Sequence, residues 1–280
     1  MPVAVLGAEQ AIGRAVARAT VRDGADVRAG LELAAPDSAL AALRGIGVHA
    51  TRVAADEDDI APVVTGAHTV VLLGRGPLAD PAAHRDALAA GAIAALDAGC
   101  ARVVLVTELA AGSDNPYLAA CRDAEALVAE LPLEAVVLRC AVRYGDGDAL
   151  AAALAATDPA DLAADPATQH APLHVDDVGE AVAVVDRSRD EPDLAIDVEL
   201  VGPDEVTLGE LHRRLRTVLP DAGRPDPGPD PGADPAADPA AGAGPLPSWV
   251  VDWLSRPATG SAQALGRSSG TRLAAGLAAR

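Results

Sequence analysis

The sequence predicts a doubly wound α/β fold built around one parallel sheet, and three observations carry that reading. Short Val/Leu/Ile runs without polar alternation recur along the first half of the chain, the pattern of strands buried on both faces. Ala-rich stretches with helical spacing separate those runs, each closed by Gly, Pro or a polar turn. With 280 residues, half of them hydrophobic, the chain can bury one sizeable core plus a small appended lobe.

Taken in order, strands are expected at 2–6 (PVAVL), 25–30, 47–53, 68–73, 101–107 (ARVVLVT) and 134–139 (EAVVLR). Helices are expected between them at Ile12–Arg22, Asp37–Arg44, Asp59–Thr65, Ala82–Ala98 and Leu118–Glu130. Right-handed crossovers then impose the order 3-2-1-4-5-6, with ligands at the carboxyl edge beside the first and fourth strands. These elements make up a core over residues 1–145.

After about residue 145 the alternation stops. A helix near 148–156, the unit APLHVDDVGEAVAVV, a strand near 196–201 and a helix near 207–219 read as a small lobe, 146–220, completing the same domain. Residues 221–247 are dominated by Pro, Asp, Ala and Gly with repeated DP pairs; such a segment cannot offset its own ordering entropy and is expected to be a disordered acidic linker. The tail, 248–280, carries the only tryptophans, Trp249 and Trp253, whose spacing of four puts both indoles on one helical face. Packing of the tail onto the body and docking of a partner are the two readings open for that pair.

Composition removes whole classes of function. A net charge of −19 repels the phosphates of nucleic acid and the anionic face of a membrane, so neither partner is expected. All 22 basic residues are Arg, which excludes Schiff-base catalysis, a P-loop lysine and any Tyr–Lys proton relay. Cys100, Cys121 and Cys140 have no CxxC spacing and suggest neither a disulfide framework nor a zinc site. The absence of a basic leader and of a long apolar run points to a soluble, cytoplasmic protein.

The first strand and the turn after it carry the most specific signal. VAVLG feeds GAEQAIG and then a helix, so Gly7, Ala8, Gln10, Ala11, Ile12 and Gly13 form the turn of a Rossmann-type dinucleotide site. Gly7 permits the tight turn, Gly13 the close helix–strand contact, and the helix's free amides would face a pyrophosphate. Gln10 stands where the middle glycine belongs, and Glu9 precedes it. A carboxylate about 5 Å from a phosphate costs about 3 kcal/mol at an effective dielectric near 20, so the turn is either a weakened cofactor site or a structural turn that binds nothing. Glu9 capping the helix start in place of a phosphate is a further option.

At the second strand, Arg28 and Glu32 compete for the adenosine ribose: Glu32 at the tip selects NAD, whereas Arg28 swung there selects NADP. Leu73, Gly74 and Arg75 follow the fourth strand, where backbone can lie along a dinucleotide and Arg75 can pair with a phosphate. His170, His174, Asp176 and Asp177 are interrupted by Pro172 and lack a further ligand cluster, so no metal is expected.

Together these residues resemble the atypical or extended short-chain dehydrogenase/reductase superfamily, near its NmrA-like and NAD-dependent epimerase/dehydratase groups. The resemblance spans about residues 3–217 and rests on the glycine turn, AGCARVVLVTELA, LEAVVLRCAVRYGDGD, PLHVDDVGEAVAVV and ELVGPDEVTLGELHRRL. It implies a Rossmann core with a C-terminal substrate lobe, an NAD or NADP cofactor and a small-molecule substrate; a homodimer through an Ala-rich helix pair is one arrangement open to such a protein. It also implies that the HVDDV segment caps a helix through Asp176 or Asp177.

Position by position, Thr107 falls at the family's active-site Ser/Thr and Tyr117 at its catalytic Tyr. Cys121 stands where the Lys four residues later belongs, leaving a phenol near its ordinary pKa, a poor acid–base group at neutral pH. Arg122 projects about a hundred degrees away on the helix and is no substitute. The leading expectation is an NAD(P)-binding oxidoreductase-like protein in which any hydride transfer relies on the cofactor, with Thr107 or water donating the proton. The competing one is a non-catalytic redox-sensing or scaffold protein.

Overall fold

Parallel strands covered by helices on both faces need no polar alternation, and the apolar runs of this chain fold accordingly. A computed structural model describes residues 1–109, 114–188, 197–219 and 246–258. The core alternates β1 (Pro2–Leu6), α1 (Ala11–Arg22), β2 (Asp26–Glu32), α2 (Asp37–Gly45), β3 (His49–Val53), α3 (Glu57–Val64), β4 (Thr69–Leu72), α4 (Pro81–Asp97), β5 (Arg102–Glu108), α5 (Pro116–Glu130) and β6 (Glu134–Cys140). Each lies within two residues of its predicted bounds. Then come β7 (Arg143–Tyr144), α6 (Ala149–Ala156), β8 (Gln169–His170), β9 (Leu173–His174), α7 (Val175–Arg187), β10 (Asp197–Leu200), β11 (Val206–Thr207), α8 (Leu208–Val218) and α9 (Ser248–Leu254).

The main sheet is all parallel, in the order β3-β2-β1-β4-β5-β6-β10. The predicted Rossmann order is therefore present with one addition. The strand near 196–201, assigned by sequence to the lobe, instead pairs with β6, Val198 opposite Leu138. Its neighbour α7 returns to the main body and packs on α1, where Arg18 and Arg22 meet Asp176 and Glu180, each at 2.6 Å. Asp176 is thus an ion-pair partner on the surface. The cap of α7 is His174, whose Nδ1 accepts from the Asp176 amide at 3.2 Å, so neither Asp176 nor Asp177 caps the helix as expected.

Two buried layers sandwich the sheet. Val5, Val16, Leu31, Leu138 and Val182 represent the face covered by α1, α2 and α7; Leu72, Leu88, Leu105 and Val128 represent the face covered by α3, α4 and α5. A third cluster joins α5, α6, α8 and α9 and includes Tyr117, Leu154, Leu211 and Trp253. Of the predicted linker 221–247 only 246 and 247 are described, and of the tail 248–280 only 248–258. That portion forms α9 and lies against the body, with Trp253 buried and Trp249 packed beside the same cluster.

Candidate functional site

The backbone of the first turn places a helix N-terminus at the sheet's carboxyl edge. Gly7, at φ +87°, lets the Gly7 and Ala8 amides both donate to the Gly30 carbonyl, at 3.1 and 3.2 Å; a Cβ there would lie 2.6 Å from the Gly74 oxygen. Gly13 brings α1 against the turn, since a Cβ at that position would sit 2.5 Å from Ala8 Cα. Among the described helices of eight residues or more, α1 alone has neither a capping side chain nor an acidic residue in its first turn. Its first amides face an open cleft of about 610 Å³ lined by Ala11 and Ile12.

Three charged side chains surround that helix start. Arg14 donates to the carbonyls of Glu9, Asp146 and Gly147 and lines the cleft, and among the described residues no carboxylate shares its hydrogen bonds. Arg75 Nε stands 3.0 Å from Glu32 Oε1, an ion pair at an angle outside hydrogen-bond geometry. Both Arg75 and Glu32 line the same cleft, whose neighbouring wall is the apolar stretch Ala34–Pro36.

Glu9 does not cap α1. Its carboxylate turns toward β2 and accepts the Glu32 amide at 3.2 Å. Burial, and secondarily the charge of Glu32, raise its pKa from 4.5 to about 7. At neutral pH the group therefore carries only part of a charge, which lessens its repulsion of a phosphate. Gln10 bridges the first turn to the loop after β4: its Nε2 donates to the Gly74 carbonyl at 2.6 Å.

The residues expected to carry chemistry lie deeper, beside the tip of β5. Thr107 donates to Glu125 at 2.7 Å, and Glu125 is held by Arg139. Asn115 caps α5 and Pro116 occupies its first turn, so Tyr117 is fixed at the helix start and buried. The Tyr117 hydroxyl donates to Glu108 Oε1 at 2.8 Å, while Arg143 grips both oxygens of Glu108 at 3.0 and 2.5 Å. Burial first, and then the charge of Glu108, push the Tyr117 phenol well above its ordinary value.

Cys121, at the position of the missing Lys, meets His84 instead, with Sγ 3.8 Å from Nε2. His84 Nδ1 accepts the Arg75 amide at 3.1 Å, which assigns the ring proton to Nε2. Burial and the nearby Arg143 lower the imidazole pKa to about 4, and burial raises that of the Cys121 thiol, so both are neutral at pH 7.

Helix α9 closes this region from outside. Trp253 packs on Tyr117 with ring centroids 5.8 Å apart, and Trp249 Nε1 donates to the Pro77 carbonyl at 3.0 Å. Asn115 Nδ2 ties both the Trp249 carbonyl and Asp252, at 2.7 and 2.8 Å.

Of the residues singled out by sequence, Gln10, Ala11, Ile12, Glu32 and Arg75 line the cleft, and Gly7, Ala8, Gly13, Leu73 and Gly74 shape its backbone. Arg28 does not join them. It sits mid-strand and donates to the Thr65 carbonyl at the end of α3, while Glu32 occupies the strand tip. Thr107 and Tyr117 do not line the cleft. Sequence reasoning passed over Arg14, His84, Glu108 and Arg143; Arg14 and His84 lay in expected helices, and Arg143 and Glu108 in segments that carry the family resemblance, AVRYGDGD and VTELA. No group of His, Cys, Asp and Glu among the described residues is arranged to hold a metal.

Beside α1 and β2 the cleft offers amides, two arginines and the Glu32 carboxylate, and it runs on to Arg143 and Asp148 after β6, whereas Thr107, Glu108 and Tyr117 are hydrogen-bonded within the protein.

No family sequence model matches the chain, and no curated protein does. Solved structures do. MoeE5 in complex with UDP-glucuronic acid and NAD superposes with a TM-score of 0.61 at 19% identity, over 79% of this chain and 83% of that one. TunA, an NAD-dependent NDP-hexosamine 5,6-dehydratase involved in tunicamycin biosynthesis, gives 0.57 at 16% identity over 100% and 98% of the two chains. The UDP-glucose 4-epimerase of Thermotoga maritima, with UDP-glucose, gives 0.61 at 15% identity over 100% and 99%. The chain shares its fold with these three proteins, as the resemblance in its sequence implies.

Proposed function

We propose that this protein binds an NAD-type nucleotide in the cleft at the N-terminus of α1 and does not perform Tyr–Lys acid–base chemistry. The observation that carries the binding half is the uncapped start of α1 opening into the cleft beside Arg14 and Arg75. Unsatisfied amides and a helix dipole favour an anion there, and Arg14, whose hydrogen bonds among the described residues go to carbonyls, adds a positive charge for a phosphate. Glu32 at the tip of β2 supports NAD over NADP, because a second carboxylate repels a 2′-phosphate and Arg28 is engaged elsewhere.

The second half follows from the phenol. Tyr117 has no Lys beside it, its hydroxyl proton is held by a carboxylate, and burial opposes its ionisation. Such a group neither donates nor takes a proton at neutral pH. Thr107, the other candidate donor, is committed to Glu125. The nucleotide, when bound, supplies whatever redox chemistry there is; the chain's residues orient its phosphates and ribose.

Titration calorimetry with NAD and ADP at physiological salt tests this reading. Binding in the micromolar range is expected, about −8 kcal/mol, with Arg14→Gln weakening it about tenfold. Absence of binding by either ligand up to millimolar concentration would overturn it.

A further inference from the structure

Arg75 is carried by a loop that its own sequence leaves loose. Gly74 and Gly76, at φ +60° and +77°, flank it after β4 in backbone conformations that favour glycine. Fixing a residue between two glycines costs chain entropy, so where its guanidinium stands depends on what holds the loop.

Three side chains from distant parts of the chain hold it. From the first turn, Gln10 Nε2 donates to the Gly74 carbonyl at 2.6 Å. From behind, the His84 ring on α4 accepts the Arg75 amide at 3.1 Å and packs so closely that a Cβ on Gly74 would lie 2.5 Å from it. At the outer end, Trp249 Nε1 donates to the Pro77 carbonyl at 3.0 Å, across 172 positions of sequence. Gly76, Pro77 and Leu78 line the cleft together with Arg75, and Leu78 and Trp249 both pack on the cluster around Trp253.

The helix that carries Trp249 is anchored independently of the cleft. Asn115 Nδ2 donates to the Trp249 carbonyl and to Asp252, His170 Nε2 donates to the Leu254 carbonyl at 2.9 Å, and Val250, Trp253 and Leu254 are buried. Beyond the helix, the Ala258 amide donates to the Gln169 carbonyl and its carbonyl accepts the Ala171 amide. None of these anchoring residues lines the cleft. The bond from Trp249 to Pro77, with Leu78 beside it, joins the fixed helix to the loop.

We infer that Trp249 is a positioning residue for the nucleotide: α9 holds the loop at Pro77 so that Arg75 stands over the cleft, and the C-terminal helix thereby sets the affinity of a site whose lining it does not enter. The inference rests on the nucleotide-binding reading above and adds the regulation of that site. Linkage makes the effect reciprocal, so a nucleotide gripped by Arg75 strengthens the docking of α9 by the same factor as docked α9 strengthens the nucleotide. The chain's two tryptophans both lie on α9, and tryptophan emission therefore reports on that helix alone.

Calorimetric titration of the full chain with NAD, for the parent, Trp249→Phe, Arg75→Ala and the double variant, tests this. Phe keeps an aromatic ring on the cluster and removes the donor to Pro77. Trp249→Phe is expected to weaken NAD about fivefold and Arg75→Ala about tenfold. The double variant should bind no more than about twofold more weakly than Arg75→Ala, because Trp249 acts through Arg75. In the parent, saturating NAD is expected to reduce acrylamide quenching of the tryptophan emission, a protection lost in Arg75→Ala. An affinity of Trp249→Phe within about twofold of the parent's, a double variant weakened by the product of the two single effects, or quenching unchanged by NAD would each overturn the inference while leaving nucleotide binding intact. If the parent binds neither NAD nor ADP, the nucleotide reading itself falls, and the inference with it.

Discussion

Glu9→Gln should make the protein less sensitive to alkaline pH, by an amount that follows from one buried carboxyl. In the folded chain Glu9 has a pKa of about 7 against an ordinary 4.5. Between those values the unfolded chain has released a proton that the folded chain still holds, so stability falls as pH rises, levelling off above pH 7. The whole displacement corresponds to about 3 kcal/mol, and about 2.5 kcal/mol of it develops between pH 5 and pH 8. The amide of the variant has no such titration and retains an oxygen for the Glu32 amide. Any pH-independent effect of burying an amide, and the titration of other groups such as His84, cancel when the two proteins are compared at both pH values. Thermal melts should show the variant gaining about 5–10 °C on the parent between pH 5 and pH 8, at about 2–4 °C per kcal/mol for a body of this size. Parallel pH profiles for the two proteins would refute the claim that Glu9 is a desolvated acid.

Other perturbations separate structural from ligand-binding roles. Glu108→Gln leaves Arg143 buried opposite a neutral amide and should cost about 3–5 kcal/mol, read by urea denaturation; a loss under 1 kcal/mol would show the pair to be hydrated. Trp253→Ala removes a fully buried indole and should cost about 3–5 kcal/mol while shifting the emission of Trp249 to the red, whereas unchanged emission would mean that α9 stays docked without it. Arg28→Ala should leave nucleotide affinity unchanged within about twofold, equivalent to 0.4 kcal/mol, and a larger loss by calorimetry would return Arg28 to the ribose site. His84 should stay neutral down to about pH 5, giving no imidazole titration by NMR above it; because its pKa is lowered to about 4, its contribution to stability is lost as pH falls below 6.5 toward that value.

Much of this molecule was legible in the order of its residues. A run such as VVLVT, with helical Ala-rich stretches on both sides, suits only a strand covered on both faces, so element type and sheet order followed from local pattern and crossover handedness. The glycine turn was equally readable, because the close contacts of Gly7 and Gly13 exclude a Cβ. The loss of Tyr–Lys chemistry needed no structure, since a chain without Lys cannot supply one.

Where side chains point was not legible. Spacing left Arg28 and Glu32 as rivals, and only the folded strand shows Arg28 donating to the Thr65 carbonyl while Glu32 stands at the strand's end. Glu9 was expected to hinder a phosphate or cap the helix, yet it turns to the backbone of β2, where burial partly neutralises it. Tyr117 matched the family's catalytic Tyr by position, and a tryptophan more than a hundred positions away proved to cover it. Strand and helix identity depend on hydrophobic period and backbone sterics, which neighbouring residues carry. The protonation, burial and pairing of a site's side chains depend on which distant groups share its space, and only the packed chain brings those together.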